Sequence, residues 1–597
     1  MSHSAIVHKR IRTLLGVTFV LFGVIVAQLF SVQVVRAGAI SERAANELLR
    51  TSTLLAPRGV ISDVNGVELA RSVAAITIIV DQAQITDPKL TARITSPVLK
   101  MEEDELIDLF TGTLRYKIIV KNGRPAMWSE LQNVISNYNM EVLKEKNGLS
   151  KRIVGFFSER GYVREYPTGT LASSLIGFIN HEGVGAAGIE SSLNRQLSGQ
   201  NGEYVYENGA GTIIPGSARI RTEAKTGTSV RLTVDRDIQW VAQDAISKAV
   251  KSSRAISGTV IVMDPKTGAI IAQASAPTFD PSKPITGNLN VIRNPAVQDV
   301  YEPGSTGKVI TYAAALEEKL LNPNTVYTVP YSMTVAGTKF SDHERHPVLR
   351  LTATGSLAVS SNTASIKIGQ QLGSNKLYQY LTNFGFGKST GSHLPGESAG
   401  LLRPVDDWSG TSLPTFSFGH GYSVTSLQAA SVFATIANDG VRVTPTVVAG
   451  TTDASGNYVP AKHQQTKRVI SAETAREIRK MLESVVSVNG TAPTAAIPGY
   501  RVAGKTGTAN RFDPSCSCYS GYTASFIGFA PADKPAYVVS VAIQDPQGMH
   551  WGGALGGPVF AEVMKFVLQS KHIAPSTTKF KAYPLTEAAL KKSAIVK

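Results

Sequence analysis

The sequence predicts an α+β protein: one membrane-spanning helix at the N-terminus, a mixed α/β first region, and a larger domain in which an antiparallel sheet is sandwiched by helices. Three observations lead there. An uncharged apolar run fills Leu14–Val35. From Leu232 onward strand-like segments come first, helix-like segments follow and strand-like segments return, the order of a sheet with helices packed on it. The chain has 597 residues, of which 43% are hydrophobic and 18% charged, enough for several domains and a sizeable core.

Leu14–Val35 is 22 residues long, with Gln28 and Gln33 as its most polar members. About 20 apolar residues cross a bilayer. Lys9, Arg10 and Arg12 precede the run, so residues 1–13 are expected on the cytoplasmic side. A cleaved signal peptide competes, with Ala37-Gly38-Ala39 as a cleavage-site mimic, but its apolar core would be shorter. No second run of this length occurs, so about 560 residues are expected outside the membrane.

Residues 36–225 form the first region. They mix strand-like runs such as Ala75–Val80, helix-like runs such as Glu102–Leu109, and glycine-rich loops near Gly183–Gly188 and Gly209–Ser217. Residues 226–575 form the second. A strand at Leu232 leads into a helix with Ile238, Val241, Ala245 and Val250 at roughly helical spacing. Two apolar runs around Asp264-Pro265-Lys266-Thr267-Gly268 predict a β-hairpin. Helices are expected over Val309–Lys319, Leu427–Asn438 and Ala472–Val486, and strands at Thr523–Pro531 and Ala536–Gln544. Residues 576–597 carry five lysines and little pattern, and are expected as a flexible basic tail.

The net charge is +15, yet no basic helix, basic-aromatic ladder or zinc-finger spacing accompanies it, so nucleic acid is not the expected partner. A membrane surface or an anionic polymer fits a diffuse excess as well. Cys516 and Cys518 lack the second pair a zinc site requires, and read as ordinary thiols or a small loop staple. Ser341-Asp342-His343-Glu344 resembles a metal cluster, but adjacent charges in a polar loop are expected to be solvated, and no metal is assigned.

Three short motifs stand in order. Ser305-Thr306-Gly307-Lys308 is S-x-x-K; Ser360-Ser361-Asn362 is S-x-N, 55 residues on; Lys505-Thr506-Gly507-Thr508 is K-T-G-T, another 145 on. A serine hydroxyl becomes a nucleophile when a nearby base takes its proton. Lys308, three residues after Ser305, shares its face of a helix, and Glu302-Pro303-Gly304 reads as the helix entrance. Desolvation and neighbouring cations such as Lys505 would keep Lys308 partly neutral. Ser360 can relay a proton, and the Asn362 amide can hold a peptide group. Lys505–Thr508 is expected on an edge strand, where a substrate peptide adds as a further strand. Gly507 would let it approach closely, and Lys505, Thr506 and Thr508 would suit a terminal carboxylate. The backbone N–H groups of Ser305 and Thr508 would form the oxyanion hole.

Each motif recurs. S-x-N also begins at Ser192, Ser455 and Ser487, S-x-x-K at Ser576, K-T-G-T at Lys225 and K-T-G at Lys266. Chain order removes most of these, because Ser576 follows every K-T-G while Lys225 and Lys266 precede both S-x-x-K runs. Order does not remove Ser455 or Ser487. His420 reads as a residue lining the cleft, since lysine already supplies the base.

The neighbourhood of the motifs resembles the class B (high-molecular-mass, monofunctional) penicillin-binding proteins. Tyr301–Lys308 resembles their active-site segment. Arg58–Gly66, Tyr166-Pro167 and Gly188-Ile189-Glu190 resemble their N-terminal blocks, and Leu232–Asp235 with Gln239 the start of their transpeptidase domain. Phe418–Thr425 with Gln428, and Gly556–Phe560, resemble two further shared blocks. Ser62-Asp63-Val64-Asn65 departs from a commoner Asp-Arg-Asn run. The resemblance implies an elongated pedestal domain (36–225), a penicillin-binding transpeptidase domain (226–575), and a Ser305 acyl-enzyme that exchanges D-alanine for a neighbouring stem peptide. It implies no cofactor, β-lactams as inhibitors, a lipid-linked peptidoglycan precursor as substrate, and a polytopic glycan polymerase and other division proteins as partners. The first region lacks the E-D-x-x-F-x-x-H-type run of a class A glycosyltransferase, so no glycan polymerase activity is expected. The layout fits the division-specific enzyme better than the elongation-specific one. A β-lactamase, a D,D-carboxypeptidase and a non-catalytic β-lactam-binding scaffold share the motifs; the long anchored first region weighs against the first two.

Overall fold

The computed structural model describes residues 3–38, 49–209, 212–213, 217, 219–283, 289–453, 455–513 and 516–595. Ala39 of the cleavage-site mimic and part of the Gly209–Ser217 loop lie outside the described residues. Two compact units interleave along the chain. One holds residues 1–57, 76–161 and 199–226, the other 58–75, 162–198 and 227–597. Two segments of the region expected as 36–225 therefore pack within the second unit.

In the first unit, α1 (His3–Phe30) continues into a π-helical turn over Ser31–Val35. Among the described residues it is the one helix long and apolar enough to cross a membrane, over Val7–Val35 with mean hydropathy 2.3. Its side chains, Leu14, Phe19 and Phe22 among them, are exposed rather than packed on protein. Such a surface needs lipid around it, which fits a single-pass anchor. β1 (Leu49–Leu54) comes next, then β2 (Glu68–Val80), whose last residues belong to this unit. α2 (Pro88–Leu99) opens on Asp87, whose carboxylate accepts the Leu90 N–H at 3.0 Å, with Pro88 in the first turn where its missing N–H costs nothing. α3 (Glu103–Phe110) opens on three acidic residues that complement the helix dipole. β3 (Lys117–Gly123) pairs antiparallel with the end of β2, Ile78 facing Val120. After α4 (Pro125–Val142), β4 (Gly202–Gly209) returns to pair with β1. Ile78, Val80, Leu106, Phe110 and Leu131 form the core.

In the second unit the site-bearing elements are, in chain order, β5 (Val230–Leu232), α5 (Arg236–Ser253), β6 (Ser257–Met263), β7 (Ile270–Ala276), α6 (Lys308–Glu317), β8 (Thr338–Ser341), α7 (Ala353–Ala358), α8 (Asn362–Leu372), α9 (Ser426–Ala437), α10 (Ala472–Val486), β9 (Ala503–Asp513), β10 (Cys518–Ala530), β11 (Tyr537–Gln544), α11 (Gly552–Ser570) and α12 (Glu587–Ile595). The sheet is antiparallel, in the order β7-β6-β11-β10-β9. The predicted hairpin is β6–β7, its turn closed by Asp264 accepting the Lys266 N–H at 2.8 Å. β10 is buried at every residue from Thr523 to Ala530, so both faces are covered. α5 and α11 cover one face, with Phe526 edge-on to Phe560 at 4.8 Å, and α9 covers the other. α9 is buried at all its positions, which its apolar and small residues permit. A capping box starts it: Thr425 Oγ1 accepts the Gln428 N–H at 3.1 Å, and Gln428 Oε1 accepts the Thr425 N–H at 2.8 Å.

The basic C-terminal segment is not a patternless tail. It ends in α12, the Thr352 N–H donates to the Leu585 carbonyl at 3.1 Å, and Arg350 donates to Glu587 at 2.9 Å. Local sequence pattern missed it because these contacts bind it to α7 and the strand before it, far away in the chain.

Candidate active site

The turn carrying Ser305 is fastened from behind. The Tyr301 N–H donates to the Val424 carbonyl at 3.0 Å, the reverse bond is 2.9 Å, and the Gly304 N–H donates to the Gly419 carbonyl at 2.9 Å. Gly304 has φ +54°, a conformation glycine adopts without penalty. Ser305, half-buried, lies on a 3-10 turn over Gly304–Thr306, and α6 begins at Lys308. The expected continuous α-helix is therefore a 3-10 turn feeding one. Residues three apart eclipse in such a turn, so Ser305 and Lys308 keep a common side.

The S-x-N serine comes from the end of α7. The Ser360 N–H donates to the Leu357 carbonyl at 3.2 Å and the Ser361 N–H to the Ser356 carbonyl at 2.9 Å, a Schellman ending. Ser360 occupies the left-handed position at φ +62°, where glycine is usual. Lys308 Nζ donates to the Ser360 carbonyl at 2.5 Å, to Ser360 Oγ at 3.2 Å and to Asn362 Oδ1 at 2.7 Å. Lys505 Nζ donates to Ser360 Oγ at 2.9 Å, and to Thr506 O and Oγ1 at 3.3 Å. One hydroxyl thus stands between two buried amines.

Burial lowers Lys308 from its ordinary 10.5 to about 7, against the charge of Asp342, which raises it. Lys505 is held well below its ordinary value, first by burial and then by the charge of Lys308. Burial is the largest cause for both lysines, and the repulsion between the two ammonium groups acts in the same direction.

β9 is an edge strand of the sheet, as its motif requires. A Cβ at Gly507 would lie 2.3 Å from Ser525 Oγ and 2.9 Å from the Pro303 carbonyl, so glycine here admits the turn that carries Ser305. Thr506 is buried, its hydroxyl 2.9 Å from that of Thr491. Thr508 is half-buried and accepts the Gly552 N–H at 3.1 Å.

The recurrent motifs are not brought here. Asn194 accepts from Arg58, the Ser455 N–H donates to Asp453 in a turn, Ser487 caps the end of α10, and Ser576 binds Asp533. Lys225 pairs by backbone with Gln200, and Lys266 sits in the hairpin turn.

Sequence reasoning missed two carboxylates. Asp342, expected in solvent, is 7% exposed and bound to the S-x-N segment. Glu302 accepts the Gly421 N–H at 3.0 Å and the Tyr519 hydroxyl at 2.9 Å, and burial raises its pKa. Both stand in segments the sequence singled out, but nothing local marks their burial or their partners. His420 Nε2 lies 4.0 Å from Glu302, and burial followed by the charge of Lys308 lowers His420 to about 4, so the ring is neutral at neutral pH. Cys516 and Cys518 form a disulfide beside Tyr519. Among the described residues no group of three or more His, Cys, Asp and Glu could hold a metal ion.

Comparison with known proteins identifies the two domains. Residues 258–565 match the penicillin binding protein transpeptidase domain, and residues 53–232 the penicillin-binding protein dimerisation domain. The chain is 36% identical over 577 residues to the penicillin-binding protein PbpB of Mycolicibacterium smegmatis, covering 92% of this chain and 88% of that one. It is 29% identical over 586 residues to the peptidoglycan D,D-transpeptidase FtsI of Escherichia coli, covering 96% and 94%. The crystal structure of penicillin binding protein 3 from Mycobacterium tuberculosis, complexed with aztreonam, superposes with TM-score 0.69 at 30% identity, covering 90% of this chain and all of that one. With both domains matched in order and the relatives covered nearly end to end, the chain belongs to the class B penicillin-binding proteins.

Proposed function

We propose that the protein is a peptidoglycan D,D-transpeptidase that cross-links stem peptides through a Ser305 acyl-enzyme during septal wall synthesis. The observation that carries the mechanism is the chain Lys308–Ser360–Lys505 beside the serine turn, next to an edge strand. Near neutral pH a lysine poised at about 7 is neutral in a large fraction of molecules, so it can accept a proton. Lys308 takes the Ser305 hydroxyl proton as Oγ attacks the carbonyl carbon between the two terminal D-alanines. The backbone N–H groups of Ser305 and Thr508 hold the oxyanion. The proton passes through Ser360 to the departing amine, the C–N bond breaks and D-alanine leaves. The amine of a neighbouring stem then attacks the ester by the reverse path, forming the cross-link and returning the proton to Ser305.

The stem peptide lies along β9 as an added strand, Asn362 holds its amide, and Thr508 meets the terminal carboxylate. Lys505 is fully buried and Thr506 nearly so, and they act on that carboxylate through field and strand geometry rather than by an open surface. A β-lactam acylates Ser305 in the same way; solved relatives complexed with aztreonam and ampicillin support this. Lys9, Arg10 and Arg12 favour a cytoplasmic N-terminus with the catalytic unit outside. A polytopic glycan polymerase would then supply the nascent strands. The test is covalent labelling of the full chain in detergent by a fluorescent penicillin, read by gel and mass spectrometry. Stable labelling of the wild type that vanishes in Ser305→Ala is expected; labelling that survives the alanine variant sinks the assignment.

A further inference from the structure

Asp342 follows β8 directly. A buried carboxylate is costly without partners, and those of Asp342 converge on one segment. Oδ1 accepts the backbone N–H of Asn362 at 2.6 Å and of Thr363 at 2.9 Å. Oδ2 accepts the Ser361 hydroxyl at 2.7 Å and faces His346 Nε2 at 3.0 Å. The two N–H groups are the first of α8, which the helix itself leaves unpaired. The neighbouring Ser341 carbonyl accepts Asn362 Nδ2 at 2.9 Å, which turns Asn362 Oδ1 toward Lys308. Every oxygen that holds the Lys308 amine, two on Ser360 and one on Asn362, belongs to the turn that Asp342 and Ser341 fasten.

We propose that Asp342 is a positioning residue for the acylation step, clamping the Ser360–Thr363 turn so that Ser360 and Asn362 hold the Lys308 amine toward Ser305. The inference rests on the acyl-serine reading above. Its second consequence is electrostatic. The charged or titratable groups that interact with Lys308 are Lys505 on β9, His420 and Asp342; His420 in turn faces Glu302, and Asp342 faces His346 and Tyr312. Asp342 is the group whose charge favours protonated Lys308. Removing that charge while keeping the side chain's shape makes the lysine neutral at lower pH.

The experiment measures the acylation rate of the full chain in detergent by a fluorescent penicillin, from about pH 5 to about pH 9, for the wild type, Asp342→Asn and Ser361→Ala, with melting temperatures alongside. Asp342→Asn is expected to acylate about 10- to 100-fold more slowly, with the acid limb displaced to lower pH by about one pH unit. Ser361→Ala loses one bond to Oδ2 and keeps the charge, so a loss of about 3- to 10-fold is expected, with the limb where the wild type has it. A wild-type rate in Asp342→Asn, or a slower rate with an unmoved limb, overturns the proposal. If Asp342→Asn does not fold, Ser361→Ala and His346→Gln decide: slowed acylation in folded protein supports the clamp, and wild-type rates in both overturn it. Absence of labelling in the wild type would instead remove the acyl-serine reading, before Asp342 comes into question.

Discussion

Ser360 shows how one residue serves the site at the expense of the fold. Its left-handed backbone costs about 1–2 kcal/mol for an L-residue with a side chain. Glycine would remove that cost and give back about 0.5–1 kcal/mol through its unfolded-state entropy. Ser360→Gly is therefore expected to melt no lower than the wild type while acylating about 100-fold more slowly, since the hydroxyl between the two amines is gone; a large drop in melting temperature contradicts this account. Lys308 gives a pH prediction. Its folded pKa of about 7 against an ordinary 10.5 means that the base form fills as pH rises through about 7, so acylation should have its acid limb there rather than above 10. Between those two values the unfolded chain binds the extra proton, so this lysine makes stability rise with pH over that window. Ser305, Lys308, Ser360, Asn362 and Lys505 were legible as residue types at motif spacing. Asp342 was not, because its partners lie about 20 residues away and a carboxylate in a polar stretch looks the same whether buried or solvated.

At the scale of elements, the site depends on how closely α11 can approach β9 and β10. A Cβ at Gly552 would stand 2.2 Å from the carbonyl oxygens of both Gly507 and Ser525, and one at Gly553 2.2 Å from that of Thr491. Backbone cannot yield as a side-chain tip can, so Gly552→Ala should push α11 off the edge strand. A fall in acylation of about 10-fold or more is expected, with a melting temperature lower by several degrees; an alanine variant with wild-type rate shows the contact to be slack. The disulfide is a smaller matter for the fold, since it closes a loop of three residues and contributes about 1.5 kcal/mol on the chain-entropy account. Its place beside Tyr519, and through that hydroxyl beside Glu302, ties the hairpin tip to the serine turn. The elements themselves were readable where periodicity was strong: α9, α10 and the β6–β7 hairpin follow their apolar patterns. α12 was not, because its mixed sequence acquires a partner only in three dimensions.

For the whole molecule, a buried ion network lies in the second unit, far in sequence from the motifs. Glu190, fully buried, accepts from Arg58 Nε at 2.5 Å and from Arg164 Nε at 2.7 Å. Removing its charge strands two buried guanidinium groups, so Glu190→Gln should cost about 3–5 kcal/mol, measured by thermal or chaotrope unfolding; a cost under about 1 kcal/mol would mean that water already screens the pair. That network joins residues 58, 164 and 190 into the unit that holds Ser305, a grouping no linear boundary near residue 225 could express. By itself the sequence determined the long apolar N-terminal helix, the order of strands and helices in the larger domain, and the residue types of the three motifs, since each is written in local composition or spacing. Only the tertiary structure decided which S-x-N joins Lys308, that burial lowers the Lys308 pKa, what a side chain at residue 507 would meet, and where Asp342 and Glu302 point. Those depend on desolvation and on contacts between segments distant in the chain, which a one-dimensional pattern does not carry.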